Sequence, residues 1–252
     1  MSELTDQVSS SIDALTKEFE IIAHNLANVS TAGFKRRSNA FSQYIKTPEV
    51  GTETYSSGSI ELNSVFDFSQ GNIVETGRSL DFALHGKGFF VIETPNGPLY
   101  RRNGIFLTNQ NGQIVDFQGR IVAGEAGPIT IPNDVGNQPQ INVSSNGSIS
   151  IGGTTVGKFQ LVDFEANEDK LVSAGESCYA MPDSLQGDKI LNIQPVAAEN
   201  IVVKQGYQEA SNVKIIDELV DMIMVSRLYE ANMKFFTAST EVANTIISAI
   251  MA

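Results

Sequence analysis

The apolar positions at both ends of this chain recur in alternating steps of four and three. Met1, Thr5, Val8, Ile12, Leu15, Phe19, Ile22, Leu26 and Val29 form one series, with Thr5 its single polar member. A longer one runs through Ile215, Leu219, Met222, Ser226, Tyr229, Met233, Phe236, Thr240, Ala243, Ile247 and Ile250. This is a heptad seam, and neither stretch contains Pro or Gly to break a helix. At about 1.5 Å per residue the two would be rods of roughly 40 and 55 Å. A second, looser stripe follows one position behind the C-terminal seam, through Ile216, Val220, Ile223, Ala231, Phe235, Ala238, Val242 and Ala249. A helix apolar on two adjacent sides needs more neighbours than one. Because the chain supplies a single partner helix, the remaining face implies either other subunits or a further core within the chain.

Between the ends the period changes to two. Phe89–Glu93, Ile114–Phe117, Ile129–Ile131 and Lys158–Phe164 are short and rich in branched and aromatic residues, which favours strands. Pro95-Asn96-Gly97, Asn111-Gly112, Asn146-Gly147 and Gly152-Gly153 punctuate them as turns. The fold class expected is mixed: long N- and C-terminal α-helices pairing as a coiled coil, with an all-β antiparallel central domain. The expected divisions are a helix over 1–33, an extended connector over 34–78, the β domain over 79–206 and a helix over 207–252 that pairs with the first.

The chain has 252 residues, enough to bury a sizeable core. Its 17 Lys and Arg stand against 29 Asp and Glu, a formal net charge of -12. That balance argues against nucleic acid, since sequence-independent phosphate binding depends on clustered positive charge. The one continuous basic run, Lys35-Arg36-Arg37, reads as a solvated face or as charge at a helix end. A single cysteine, Cys178, excludes an internal disulfide framework and any cysteine cluster for a metal within one chain. The N-terminus has neither a basic start nor an unbroken apolar run, and no stretch is long enough to span a bilayer. Composition by itself predicts a soluble, cytoplasmic protein.

Candidate chemistry is sparse. The two histidines, His24 and His85, have no second ligand nearby in sequence. Gly86-Lys87-Gly88 lacks the length of a phosphate-binding loop and reads as a turn entering a strand. Glu168-Asp169 reads as solvated loop charge, and Asp81, between Leu80 and Phe82, as a turn-forming residue. No catalytic, cofactor-binding or metal-ligating residue is therefore assigned, and an enzyme is not expected.

The stretch 25-NLANVSTAGFKRR-37 does carry a signal. Asn28, Ser30 and Thr31 compete with helical hydrogen bonds and Gly33 permits positive φ, so a helix should stop here and the chain turn sharply. Ser211 or Asn212 can cap the start of the second helix. Asn25, Leu26, Ala27 and Asn28, with Thr31, Gly33, Phe34 and Lys35, resemble the N-terminal signature of the flagellar rod and hook axial proteins. Leu80–Leu84 with Gly86 and Gly88-Phe89-Phe90, the hairpin 100-YRRNGIFLTNQNGQIV-115, and Gly206-Tyr207 with Ser211-Asn212-Val213 resemble further signatures of that family, in the family's order. So do Met222-Ile223, Arg227, Tyr229-Glu230 and Lys234 near the C-terminus. Within the family, 123-AGEAGPITIP-132 and 229-YEANMKFF-236 look more like the proximal-rod type, FlgF, than the distal-rod type, FlgG.

The resemblance implies a structural subunit of the basal-body rod that polymerises through its terminal helices into a helical tube, for torque transmission and export. The assembly interface would comprise Leu15, Phe19, Ile22 and Leu26 opposing Ile215, Leu219, Met222, Tyr229, Met233, Phe236 and Ile247. Implied partners are other flagellar rod and axial subunits, copies of the chain itself and the flagellar export apparatus, with no nucleic acid, membrane insertion or cofactor. The implied location is the periplasmic rod, reached without a cleaved signal, which replaces the cytoplasmic expectation. Two further readings stand beside it: a distal-rod or hook subunit, and a secreted oligomeric binding module or adhesin.

Overall fold

The computed structural model describes residues 2–43, 60–132, 141–182, 194–198 and 200–251. These form two compact units, one of Met1–Ala27, Arg37–Val65 and Lys214–Ala252, the other of Asn28–Arg36 and Phe66–Val213.

The helical unit contains α1 (Ser2–Ala27), α2 (Ile215–Met251) and a two-stranded sheet of β1 (Arg37–Gln43) and β2 (Ile60–Phe66). Both strands fall within the stretch expected as connector, whose residues 44–59 lie outside the described ones. Both long helices form, and they touch, but the expected coiled coil does not. Of the seam positions Ile22 is buried, whereas Phe19 is 41% exposed, Ile215 50% and Leu219 46%. Tyr229 and Met233 are also exposed, and the side chain of Ile247 lies outside the described residues.

Among the described side chains of α2 the buried ones are Glu218 and Val225, seven residues apart. Each sits one position before a seam residue, Leu219 and Ser226. A helix turns about 100° per residue, so this shift turns the first seam residues of α2, Ile215 and Leu219, away from α1. A polar contact fixes the rotation: Asn25 Nδ2 of α1 donates to Glu218 Oε2 at 3.1 Å, with both side chains buried. Burying that carboxylate without its donor would cost more than seating one more leucine gains.

The second unit is antiparallel throughout its paired strands. Its first strands are β3 (Ile73–Glu75), β4 (Asp81–His85), β5 (Phe89–Glu93), β6 (Leu99–Arg101) and β7 (Gly104–Ile105). β5 lies at the centre of the largest sheet, pairing with β6 on one side and with Ile121–Val122 and Leu161–Asp163 on the other. Its run of four buried residues is covered on both faces. Phe90 and Ile92 enter a core with Phe82, Leu84, Phe106, Ile149 and Phe159, while Phe89 and Val91 enter a second with Phe66, Tyr100, Phe164 and Tyr179. Edge-on ring pairs occur in each, Phe90 with Phe106 at 5.2 Å and Tyr100 with Phe164 at 4.8 Å, and such contacts add about 0.5–1.5 kcal/mol beyond area burial.

The strand expected over Lys158–Phe164 is divided into Thr154–Lys158 and Leu161–Asp163, and Ile129–Ile131 contributes a single bridge, Thr130 to Gln113. Gly104 permits the tight pairing of β7 with β4, because a Cβ there would lie 2.1 Å from the Phe82 carbonyl oxygen.

Candidate assembly site and the anchored ends of the β unit

In the helical unit Asn25 works as a peptide group would. Its Nδ2 donates to the Arg37 carbonyl at 2.8 Å and its Oδ1 accepts from the Arg37 N–H at 2.9 Å. One amide thereby ties α1 to the start of β1 while its remaining hydrogen reaches Glu218. An aspartate there would lose both donors and set a second carboxylate against Glu218. Arg37 also donates from Nη2 to Ser64 Oγ at 2.9 Å, joining the two strands of the small sheet.

The β unit holds a buried ionic cluster around Glu209, the last residue of strand Tyr207–Glu209. Lys35 Nζ lies 2.7 Å from Oε1 and Arg102 Nε lies 3.0 Å from Oε2, and the Gly71 N–H donates to Oε1 at 2.9 Å. The two cations are satisfied further by carbonyls: Lys35 by Ser69, and Arg102 by Gly86, Gly88 and Leu84. All three charged side chains are at least nine-tenths buried. Burial pushes the Lys35 ammonium below its ordinary value, Glu209 opposes that shift, and the nearby Arg102 charge reinforces it.

Around this cluster the backbone of the N-terminal motif is laced to the segment preceding α2. The Gly33 N–H donates to the Glu209 carbonyl at 2.7 Å, and the Arg36 N–H to Asn212 Oδ1 at 2.7 Å. Asn212 Nδ2 in turn donates to the carbonyls of Asp67 and Ser69. Gly33 sits at φ +69°, and a Cβ would meet the Asn103 backbone nitrogen at 2.6 Å. Asn28 and Thr31 form the turn at the end of α1, through Thr31 N–H to the Asn28 carbonyl at 3.0 Å and Thr31 Oγ1 to Asn28 Oδ1 at 3.1 Å. Ser211 and Asn212 do not cap α2, which begins at Ile215. Ser211 Oγ accepts from the Val213 N–H, and Asn212 is spent across the junction.

The stretches that build these contacts match known proteins. Residues 204–249 match the family model "Flagellar basal body rod FlgEFG protein C-terminal", and residues 83–151 match "Flagellar hook protein FlgE/F/G D1 domain". The flagellar basal-body rod protein FlgG of Buchnera aphidicola subsp. Acyrthosiphon pisum is 35% identical over 250 residues, covering 91% of this chain and 93% of the relative. The chain belongs to the flagellar basal-body rod protein family. FlgG of Bacillus subtilis is 30% identical over 254 residues, 92% of each chain. The rod protein FlgF of Caulobacter vibrioides is 29% identical over 240 residues, 92% of this chain and 91% of its own. This rod protein is accordingly a structural subunit of the flagellar basal body.

Among the motif residues of the rod protein, Asn25, Gly33, Phe34 and Val213 are buried, Leu26, Asn28, Thr31, Ser211 and Asn212 are half-buried and Ala27 is exposed. Of the seam residues, Leu15, Phe19 and Tyr229 line one groove between α1 and α2; Leu15, Leu26, Met222 and Phe236 are half-buried and the rest, apart from Ile22, are exposed where described. Lys35 corrects the reading of the basic run as solvated charge, since its ammonium is fully buried. Sequence reasoning passed over Glu209, Arg102 and Glu218. The spacing of 174 residues between Lys35 and Glu209 leaves no local signal, although Glu209 lies close behind the Gly206-Tyr207 motif.

The remaining candidates stand apart from these contacts. His24 is exposed, its imidazole pushed below the ordinary value by partial burial and by Arg37. Asp81 is buried in β4 with Arg78 3.7 Å from its Oδ1. Cys178 is buried, with its thiol pushed up by burial. Among the described residues no group of three or more His, Cys, Asp or Glu is placed to hold a metal ion. No helix among them is long and apolar enough to cross a membrane.

Proposed function

We propose that this rod subunit polymerises through its two terminal helices into a helical tube in the periplasm, with copies of itself and with other axial subunits. It reaches the tube through the flagellum's own export apparatus, and the tube transmits torque. The observation that carries this reading is the apolar surface left uncovered on α2: Ile215, Ile216, Leu219, Val220, Ile223, Met224 and Leu228 are all exposed, as is Phe19 of α1. So continuous an apolar face marks a surface built to be covered. The proximal-rod position rests on the two stretches that resemble the FlgF type. A distal position is favoured by one specific observation, the 35% identity to a FlgG-named relative against 29% to the FlgF of Caulobacter vibrioides.

Purified hook–basal bodies, stripped of hook and examined by mass spectrometry, are expected to contain peptides of this chain alongside other rod components. Partial dissociation from either end then orders them along the rod. A complete rod lacking the chain would refute the proposal.

A further inference from the structure

The β unit carries a cleft of about 540 Å3 between residues 66–70 and the 3-10 turn Glu165–Lys170. One wall is aromatic, with Phe66 buried and Phe68 half-buried. Phe68 is held edge-on against Phe89 and Tyr179, at 5.3 and 4.9 Å, so that wall is already in place. The charged groups lining the cleft are unequal. Asp67, Glu165 and Asp169 are exposed and Glu168 is half-buried, against the cations Lys87 and Arg102. Arg102 is spent on Glu209 and three backbone carbonyls. Lys87 stands 3.6 Å from Glu168, and Lys170, in the same turn, donates to Asn167 and does not line the cleft.

The shortfall of positive charge is felt at Glu168, whose carboxyl lies above its ordinary value. Burial raises it, Asp163 adds to the rise, and Lys87 and Arg102 oppose without offsetting the two. A place that favours an added proton also favours an added cation. The carboxylates are not grouped to share a metal ion, and the aromatic wall fits the apolar stem or planar head of an organic cation. Arginine suits it best, because a guanidinium pairs with carboxylates through a fork of donors and stacks on aromatic faces. The volume is in the range that takes a ligand of many atoms, so the cation comes on a longer segment.

We propose that this cleft docks an arginine-bearing, otherwise apolar segment of a partner protein. The guanidinium lies among Glu165, Glu168 and Asp169, and the apolar residues beside it lie against Phe66 and Phe68. The contact belongs to the β unit alone and does not rest on polymerisation through the terminal helices.

The test titrates full-length chain carrying isotope-labelled phenylalanine with the peptide acetyl-Leu-Arg-Leu-amide and follows the ring signals by NMR. The Phe66 and Phe68 signals are expected to shift and saturate. The same peptide with citrulline, which keeps the shape and loses the charge, should bind roughly tenfold more weakly, the worth of one charged hydrogen bond. The chain with Glu165→Gln and Asp169→Asn, both at exposed positions, should lose affinity for the arginine peptide by a similar factor and leave citrulline binding unchanged. Equal binding of the two peptides would overturn the guanidinium site. Spermidine binding as tightly as the arginine peptide would show that bare charge suffices and overturn the docking of an apolar segment. Shifts of the same rings on concentrating the chain without peptide would make a second copy the occupant and overturn the separate partner. Absence of any shift up to the solubility limit of the peptide would overturn the proposal outright.

Discussion

At the scale of single residues the strongest expectations attach to Glu209 and Asn25. Removing one partner of a buried ion pair leaves an uncompensated charge and costs about 3–5 kcal/mol. Glu209→Gln leaves Lys35 and Arg102 facing a neutral amide, and is expected to lower stability by that amount in urea unfolding. Lys35→Met should cost less, because Arg102 and the Gly71 N–H still hold the carboxylate. The same lysine has a signed pH signature. Its folded-state value is lowered from 10.5, so between the lowered value and 10.5 the unfolded chain binds the proton more firmly. Wild-type stability relative to Lys35→Met should therefore rise as pH climbs through that window and fall as pH drops through it. Urea midpoints of the two proteins at successive pH values check the sign. Asn25→Asp breaks both donated bonds and places a charge beside Glu218, at an expected cost of about 3 kcal/mol or more, lost from the helical unit. Loss of far-UV helical signal at a lower temperature, with the aromatic near-UV signal retained, would show that the damage is confined there.

At the scale of elements, the sequence made some things legible and hid others for identifiable reasons. The two helices could be read from their uninterrupted period, and β5 from its run of aromatic and branched residues. The packed face of α2 could not. Its apolar residues fill two offset stripes, and hydrophobic period alone cannot say which one turns inward when a buried Asn25–Glu218 bond sets the rotation. Lys35 was misread because a short basic run shows nothing of a carboxylate 174 residues away. Ser211-Asn212 looked like a helix cap, as such residues do, but Asn212 satisfies backbone groups of another segment. One short element carries its own prediction. In the 3-10 turn Glu165–Lys170, Glu168 has its carboxyl raised above 4.5, chiefly by burial, with Lys87 opposing and Asp163 adding to the rise. A raised carboxyl binds its proton more firmly in the folded state, so stability is lost as pH rises from 4.5 through the raised value. Glu168→Gln removes that loss. Its thermal midpoint should exceed wild type at pH 7, and the gap should narrow as pH is lowered toward 4.5.

At the scale of the whole molecule the two units differ in how much of their apolar surface is already buried. The β unit encloses two cores and a fully partnered ionic cluster, whereas α2 leaves apolar residues exposed from Ile215 to Val242. Local stability follows buried contact, so the free chain should show a graded hydrogen-exchange pattern. Amides of β4 and β5 are expected to exchange slowest, and those of α2 beyond Val225, the last buried residue among its described side chains, to exchange orders of magnitude faster. Assembly should then slow α2 selectively, because covering its outer face adds the contacts the isolated subunit lacks. Phe19→Asp separates this from general destabilisation. The substituted side chain lies on the groove and is already 41% exposed, so the monomer should keep the slow exchange of β4 and β5. Under assembly conditions its α2 amides should remain fast and the protein should stay in the supernatant. If Phe19→Asp chains still sedimented with α2 protected, the groove would have no part in covering that helix, and the uncovered apolar surface would have to be met by contacts that bypass α1.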